Sequence, residues 1–559
     1  MLLALPSNIK FLPPSKRDRP VREQELEGAE IKAHAARISH QKRKWEKLQQ
    51  QLLQKEEVHE YNPSRVNNGQ RPSHRVQPKY HEIVFLLEGS SDPFNACPVK
   101  ITPEVNRIIT YARDVMLPNI FSPPFFRRLT VGGPKTVNYE NSNRVIGGSS
   151  FLHSMKRFRD MNEGAALAWL CGHIPNIVRL NSSQTMQQLT TARLKMRAKS
   201  LRLLREGLTD HRQTSVESLT ALRLHIRCLF ETECMAGDTL AAKAHVDFLL
   251  RLPDPLTDEM ERVQHTLVMM FDATELACKK LERTVLPFGE WTAKAHARLW
   301  ALACPYLPIP PIGIHNAHPC VDIPDHREAM VRLRYCLWIA ESPLPFKTSQ
   351  DRLKADMIFA WIATKTFHDL GNLMNLYVDI MEEKFIFQSE GQRLTQACMV
   401  LTLVYESRKR VHEATIEDGA DIREASYVIM PRLARDMATA MEMLSPAEVV
   451  HYQEAYLWML YAGALFEQRQ NSKTRRANPK VKVETTEEPW FITTLVKHAD
   501  QMRVTTWEQA KAVLGRFVYD PHLEPDGHEW FEGALREQEL IKSEDDTQQQ
   551  EEQAEIVIR

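Results

Sequence analysis

Apolar residues recur at steps of three and four along most of this chain, the spacing that gathers side chains on one face of an α-helix. The clearest run lies between Thr191 and Leu252, where three such segments follow one another. In TARLKMRAKSLRLLREGL the stripe is Leu194, Ala198, Leu201, Leu204 and Leu208. In VESLTALRLHIRCLFETEC it is Val216, Leu219, Leu222, Ile226 and Phe230, with Thr214 three residues ahead of Glu217 as a capping box. In DTLAAKAHVDFLLRL it is Ala241, Ala244, Phe248 and Leu252, opened by Gly237-Asp238 as turn and N-cap. Pro253-Asp254-Pro255 stops this helix, because proline has no amide to donate. The connections are short, so antiparallel neighbours are expected, and these three helices are expected to organise the rest.

The same period continues from Asp325 to Asp500 through HREAMVRLRYCLWIAES, KADMIFAWIATKTFHDLGNLMNLYVDIMEEK, QRLTQACMVLTLVYESRKRVHEA and REASYVIMPRLARDMATAMEML. Strand-like alternation is missing. Thr102, Pro103 and Glu104 start an earlier helix expected to run to Leu117, with the hydroxyl as cap and proline at the first helical position. Thr505 and Glu508 cap a last one, with Trp507, Ala510, Val513 and Phe517 facing inward. The fold expected is all-α, a large antiparallel helical array over residues 86–540. It is preceded by a basic arm, residues 1–85, whose stretch at about 29–62 lacks Gly and Pro and suits one helix. A disordered loop is expected at 470–489, and the acidic, Gln-rich tail 541–559 is too polar to pack.

Composition narrows the function classes. With 20 glycines in 559 residues, the chain has too few for a strand-and-turn architecture or a nucleotide fold. Lys+Arg and Asp+Glu both number 72, so no global field attracts nucleic acid and any such attraction is local. Nine cysteines, several on helical faces (Cys228, Cys278, Cys336, Cys398), suit free thiols in a reducing compartment. The start has no basic region ahead of its few apolar residues and does not read as a signal peptide. The longest apolar run, Tyr456 to Phe466, is too short to cross a bilayer, so no membrane partner is expected.

Local charge is concentrated in the arm. Its first 80 residues carry sixteen basic and nine acidic side chains, and Lys32, Arg37, Lys42, Arg43, Lys44 and Lys47 are accompanied by a single acid, Glu46. On a helix most of these share one side, which suits phosphate contact or recognition by the nuclear import machinery. The alternative is a solvated charged helix. A second basic cluster, Lys473, Arg475, Arg476, Lys480 and Lys482, sits in the 470–489 loop.

DPFNACPVKITPEVNRIITY followed by LPNIF resembles the opening of the fungal-specific transcription-factor domain of filamentous fungi. ARLKMRAKSLRLLREGL through GDTLAAKAHVDFLLRL is similar to that family's central helices. EAYLWMLYAGALFEQR, EPWFITTLVKHAD, TTWEQAKAVLGRFVYD and HEWFEGAL follow its C-terminal order. The likeness spans most of Lys32 to Leu535. It implies an all-helical regulatory domain in a nuclear protein, with other transcriptional regulators as partners and DNA as a further one through the arm. Many members carry an N-terminal binuclear zinc cluster, which needs six closely spaced cysteines, whereas the first cysteine here is Cys97. DNA contact is thus expected from the arm alone.

Catalytic and metal chemistry is sparse. Between Cys304 and His326, His315, His318, Cys320, Asp322 and His326 crowd into one Pro-rich stretch. Their spacing is not that of a structural zinc site, and a polar loop crossing the array is the expected reading. His368-Asp369 lies among apolar residues, where histidine more often satisfies a buried hydrogen bond. No Ser-centred elbow, Gly-rich phosphate loop or HExxH is present, so no enzyme, metal or cofactor is expected. The expectation is a nuclear regulator of gene expression, with a cytoplasmic pool left open. The alternative is a scaffold or co-regulator that does not touch DNA.

Overall fold

The protein is described by a computed structural model over residues 97–111, 161–178, 183–209, 215–253, 259–288, 297, 299–301, 303–307, 309–341, 349–417, 424–477, 489–520 and 526–537. The chain divides into two units, Met1–Lys79 and Tyr80–Arg559, and every described residue belongs to the second. The arm with its 29–62 stretch and the 541–559 tail lie outside the described residues. Among the described residues there are helices and no strands, as the 3.6-residue period predicts.

Five helices form a first group: α1 (Pro103–Tyr111), α2 (Glu163–Val178), α3 (Ser183–Thr209), α4 (Val216–Ala236) and α5 (Thr239–Arg251). α2 packs against α1, α3 and α4, while α5 rests on α4. α6 (Glu259–Lys280) lies against α4 on one side and α8 and α10 on the other. The second group is α7 (Pro324–Glu341), α8 (Ser349–Met381), α9 (Glu390–Glu417), α10 (Glu424–Met443), α11 (Pro446–Ala477), α12 (Trp490–Gln501) and α13 (Trp507–Leu514), followed by α14 over residues 527–537. α9 is flanked by α7, α8, α10 and α11, and α11 carries α12 and α13. One apolar core runs through both groups.

α4 is the helix shared by most of the first group, and α9 is its counterpart in the second. Every residue of α9 from Leu394 to Lys409 is buried. Its polar residues are satisfied internally: Thr395, Thr402 and Ser407 each donate to the carbonyl four residues back, at 2.7–2.9 Å. Arg408 forks onto Glu275 of α6, Nε to Oε1 at 2.8 Å and Nη2 to Oε2 at 2.6 Å, with both side chains almost wholly buried.

Three glycines act as seats for rings from other elements. A Cβ on Gly164 of α2 would overlap the His225 ring of α4; on Gly371 of α8 it would meet Phe288, and on Gly463 of α11, Phe491 of α12. Around the first seat Ser200 of α3 donates to the Gly164 carbonyl (2.8 Å) and lies 2.9 Å from His225 Nε2, joining three helices. Thr232 adds a contact to the Ala168 carbonyl at 2.6 Å. α2 carries Pro175 and two glycines, which hide its helical period, and it is absent from the sequence reading.

Caps and faces differ from expectation by small steps. α1 starts as predicted, Val105 N donating to Thr102 Oγ1 at 3.3 Å, and its description ends at Tyr111. Ser215, not Thr214, caps α4, accepting from Ser218 N. Asp238 caps α5 as predicted, and Gly237 holds the left-handed φ of 75° that ends α4. In α3 the packed face includes Leu189, Ser200 and Leu204 while Leu194 and Ala198 are exposed; in α5 it is Ala242, Val246 and Leu249, one step from the expected stripe. Alanine sits equally well inside or out, so it sets the phase poorly. Thr506 and Gln509 form the capping box of α13, one residue past the expected Thr505–Glu508, and α14 follows what was expected to be the last helix. α12 has no side-chain cap of its own, and Glu467 of α11 accepts from Phe491 N and Ile492 N, each at 3.0 Å. α11 continues to Ala477, into the stretch expected to be a loop from residue 470, because nothing before Pro479 breaks a helix.

The ring seats make a paired expectation. Gly463→Ala should lower stability by about 1–3 kcal/mol in urea unfolding, since the Phe491 ring must move. Gly207→Ala in α3, with open space at its Cβ, should raise it by about 0.5–1 kcal/mol.

Candidate functional site: a polar loop strapped to the core

Titratable side chains converge where the Pro-rich stretch before α7 crosses α9 and α11. Two short 3₁₀ turns, Cys304–Tyr306 and Ile312–His315, shape this stretch, since its prolines forbid a longer helix. Arginines of α7 hold its backbone: Arg334 donates to Asn316 O at 2.8 Å, and Arg327 to Val321 O at 3.1 and 2.7 Å. From α9, Gln396 Nε2 donates to Cys320 O at 2.7 Å.

Asp322 is the acceptor at the centre. It takes bonds from Tyr452 Oη of α11 (2.6 Å) and from Gln392 and Gln396 Nε2 of α9 (3.0 Å each), with His451 Nε2 3.9 Å away. Burial, then the Asp322 bond, push the Tyr452 phenol well above its ordinary range, so it stays protonated as donor.

Beside it a thiol, an imidazole and a carboxylate stand in line. Cys320 Sγ is 2.9 Å from His318 Nδ1, His318 Nε2 is 3.1 Å from Glu454 Oε2, and Arg516 Nη1 donates to both Glu454 oxygens at 2.6 and 2.7 Å. The His318 ring stacks on Phe517, which stacks on Trp458. The order resembles a nucleophile, base and orienter. The electrostatics differ: burial, then Asp322 and Glu454, push the Cys320 thiol up to about 12, and burial holds His318 below its usual range. The thiol therefore keeps its proton for Nδ1 and the ring donates from Nε2 to Glu454, a strap that fastens loop to helix. A nucleophile needs the thiolate, and Cys320 is fully buried.

The sequence-derived ligand set does not converge. His315 is exposed, His318 and Cys320 face α11, Asp322 turns to α9 and α11, and His326 is fully buried with no hydrogen-bond partner for either ring nitrogen among the described residues. No group of three or more His, Cys, Asp or Glu among the described residues is placed to hold a metal ion. His368 meets Asn372 at 2.9 Å, while Asp369 is taken by Arg332 at 2.8 Å and Lys365 at 3.4 Å, so the two form no base–orienter pair. Lys32, Arg37, Lys42, Arg43, Lys44 and Lys47 lie outside the described residues, as do Lys480 and Lys482. Lys473, Arg475 and Arg476 fall on the final turns of α11, with their side chains not described. Glu454, Arg516, Tyr452, Gln392 and Gln396 were missed because each belongs to an ordinary helical pattern, and only the fold brings them to the loop.

Comparison with known proteins gives no relative: no family model, curated protein or solved structure matches the chain. The family likeness rests on the quoted segments themselves.

Asp322→Ala should leave Tyr452 and Gln392 without their acceptor, while Gln396 keeps the Cys320 carbonyl, lowering stability by about 2 kcal/mol and speeding amide exchange across residues 313–323, read by hydrogen-exchange mass spectrometry. The buried histidines set a pH dependence. Burial lowers His173 and His225 to about 4, His326 to about 3 and His368 to about 4, from 6.5. The unfolded chain then binds more protons between these values, so stability is full above about 6.5 and falls as pH drops towards 4. His326→Leu should make the urea midpoint fall less steeply over that window.

Proposed function

We propose that this chain is a nuclear, transcription-factor-like regulator, in which the helical body binds partners and the basic segment Lys32–Lys47 supplies nuclear import and DNA contact. What supports the reading is the agreement of two features: the quoted segments follow the order of the fungal regulatory domain, and that likeness implies an all-helical body, which this chain has. Charge segregation adds to it, because a chain of zero net charge places a basic surplus in its first 80 residues. Lysines contact phosphate as point charges, so the arm gives attraction with little sequence preference, and only Arg37 and Arg43 of the cluster can fork onto a guanine. Among the described residues no helix is long and apolar enough to cross a membrane. Other transcriptional regulators are the proposed partners of the body.

Chromatin crosslinking of the tagged protein, with salt titration of purified full chain on duplex DNA, tests this. Sharp genomic sites and a logarithmic salt slope near about −4 to −5 are expected. Replacing Lys42, Arg43 and Lys44 by alanine should reduce nuclear accumulation and flatten that slope, leaving the melting temperature unchanged. Nuclear protein without sharp sites favours the co-regulator reading. If the triple variant enters the nucleus fully, import passes to Lys473, Arg475, Arg476, Lys480 and Lys482. Unchanged binding at the same slope overturns the arm's role.

A further inference from the structure

Helix α5 rests on α4 through Ala242, Val246 and Leu249, and it turns a second apolar stripe to water. Leu240 is 83% exposed and Phe248 37%, with exposed Ala244 between them at steps of four. Scattered exposed apolar residues are ordinary, whereas three in helical register make a seam. The charges beside the seam are ordered. Along the outer face the residues run Leu240, Lys243, Ala244, Asp247, Phe248, Arg251. Read backwards about Ala244, Lys243 falls against Asp247 and leucine against phenylalanine, so the centre of the face is complementary to its own reversal. Lys243 and Asp247 are free to re-pair, since they make only an exposed intrahelical contact at 3.4 Å.

We propose that this face docks a second copy of the chain, α5 against α5, antiparallel about a two-fold axis beside Ala244. Leu240 then covers the partner's Phe248, and Lys243 meets the partner's Asp247. Each contact occurs twice, as an isologous interface requires. Ala244 at the axis has the small side chain that lets two helices approach closely. A parallel copy would set Lys243 on the partner's Lys243. An unrelated helix would have no reason to match a face so ordered, and this symmetry singles out a second copy as the occupant. The seam is short, so the dimer is weak, with a Kd on the order of 10 µM.

Sedimentation equilibrium of the full chain over about 1–100 µM should show a reversible monomer–dimer equilibrium. Leu240→Glu should weaken it at least about tenfold, with an unchanged circular dichroism melt because Leu240 packs on little in the monomer. Lys243→Glu and Asp247→Lys should each weaken association, and the double variant should restore it, since each copy then offers the reversed pair. A chain that stays monomeric throughout, a dimer indifferent to Leu240→Glu, or a double swap that fails to recover overturns the proposal. So does a monomer that uses the α5 face to hold a different protein.

Discussion

A guanidinium and a carboxylate sealed from water fix the centre of this body. Arg408 of α9 and Glu275 of α6 meet in a two-bonded fork, and Ser426 of α10 accepts a further bond from Arg408 at 3.2 Å. Removing two charges from water costs several kcal/mol each, which a fork of this geometry offsets only while both partners stay in place. Such a pair adds little net stability and much selectivity, because any other packing of α6 on α9 leaves a charge buried alone. Neighbouring Asp272 belongs to the same joint: burial, then Glu231, raise its carboxyl far above the ordinary range, against the pull of Arg227 and Lys279. Polar chemistry is thus concentrated where α6 joins the first helical group to the second.

That concentration explains what could be read beforehand. Helices with one wet face were legible, including α5 and α13, because water imposes the polar half of their pattern. α9 was legible as a helix, but it carries its polar residues inward over Leu394–Lys409, so the sequence did not show how deeply it lies. α2 was lost for a different reason: Gly164, Gly172 and Pro175 look like helix breakers, yet the first is required by a ring arriving from α4. Phase was the commonest small error. In α5 the stripe through Ala241 and the stripe through Ala242 are equally good on paper, and contact with α4 decides between them.

The loop site was half legible. Its histidine, cysteine and aspartate stand out by residue type, and a polar loop crossing the array was the right description. Their partners on α9, α11 and beyond α13 carry no local signal, since Glu454 lies far along the chain from His318 and Arg516 lies beyond it again. Each of these titratable groups is answered by another within the loop site, with the thiol, imidazole, carboxylate and guanidinium closing on themselves.

The glycine seats carry a mechanical consequence. Helices that meet through smooth leucine ridges can slide past one another in small steps, which is how shear transitions work. A ring lodged against bare backbone at Gly164, Gly371 or Gly463 acts as a detent, because displacement along the helix drives it into the Cβ atoms on either side. Sliding is therefore blocked at the α2–α4 and α11–α12 contacts and where the segment after α6 meets α8. Relative motion within this body is left to rotation of whole helical groups or to local melting, rather than to graded slip between neighbours.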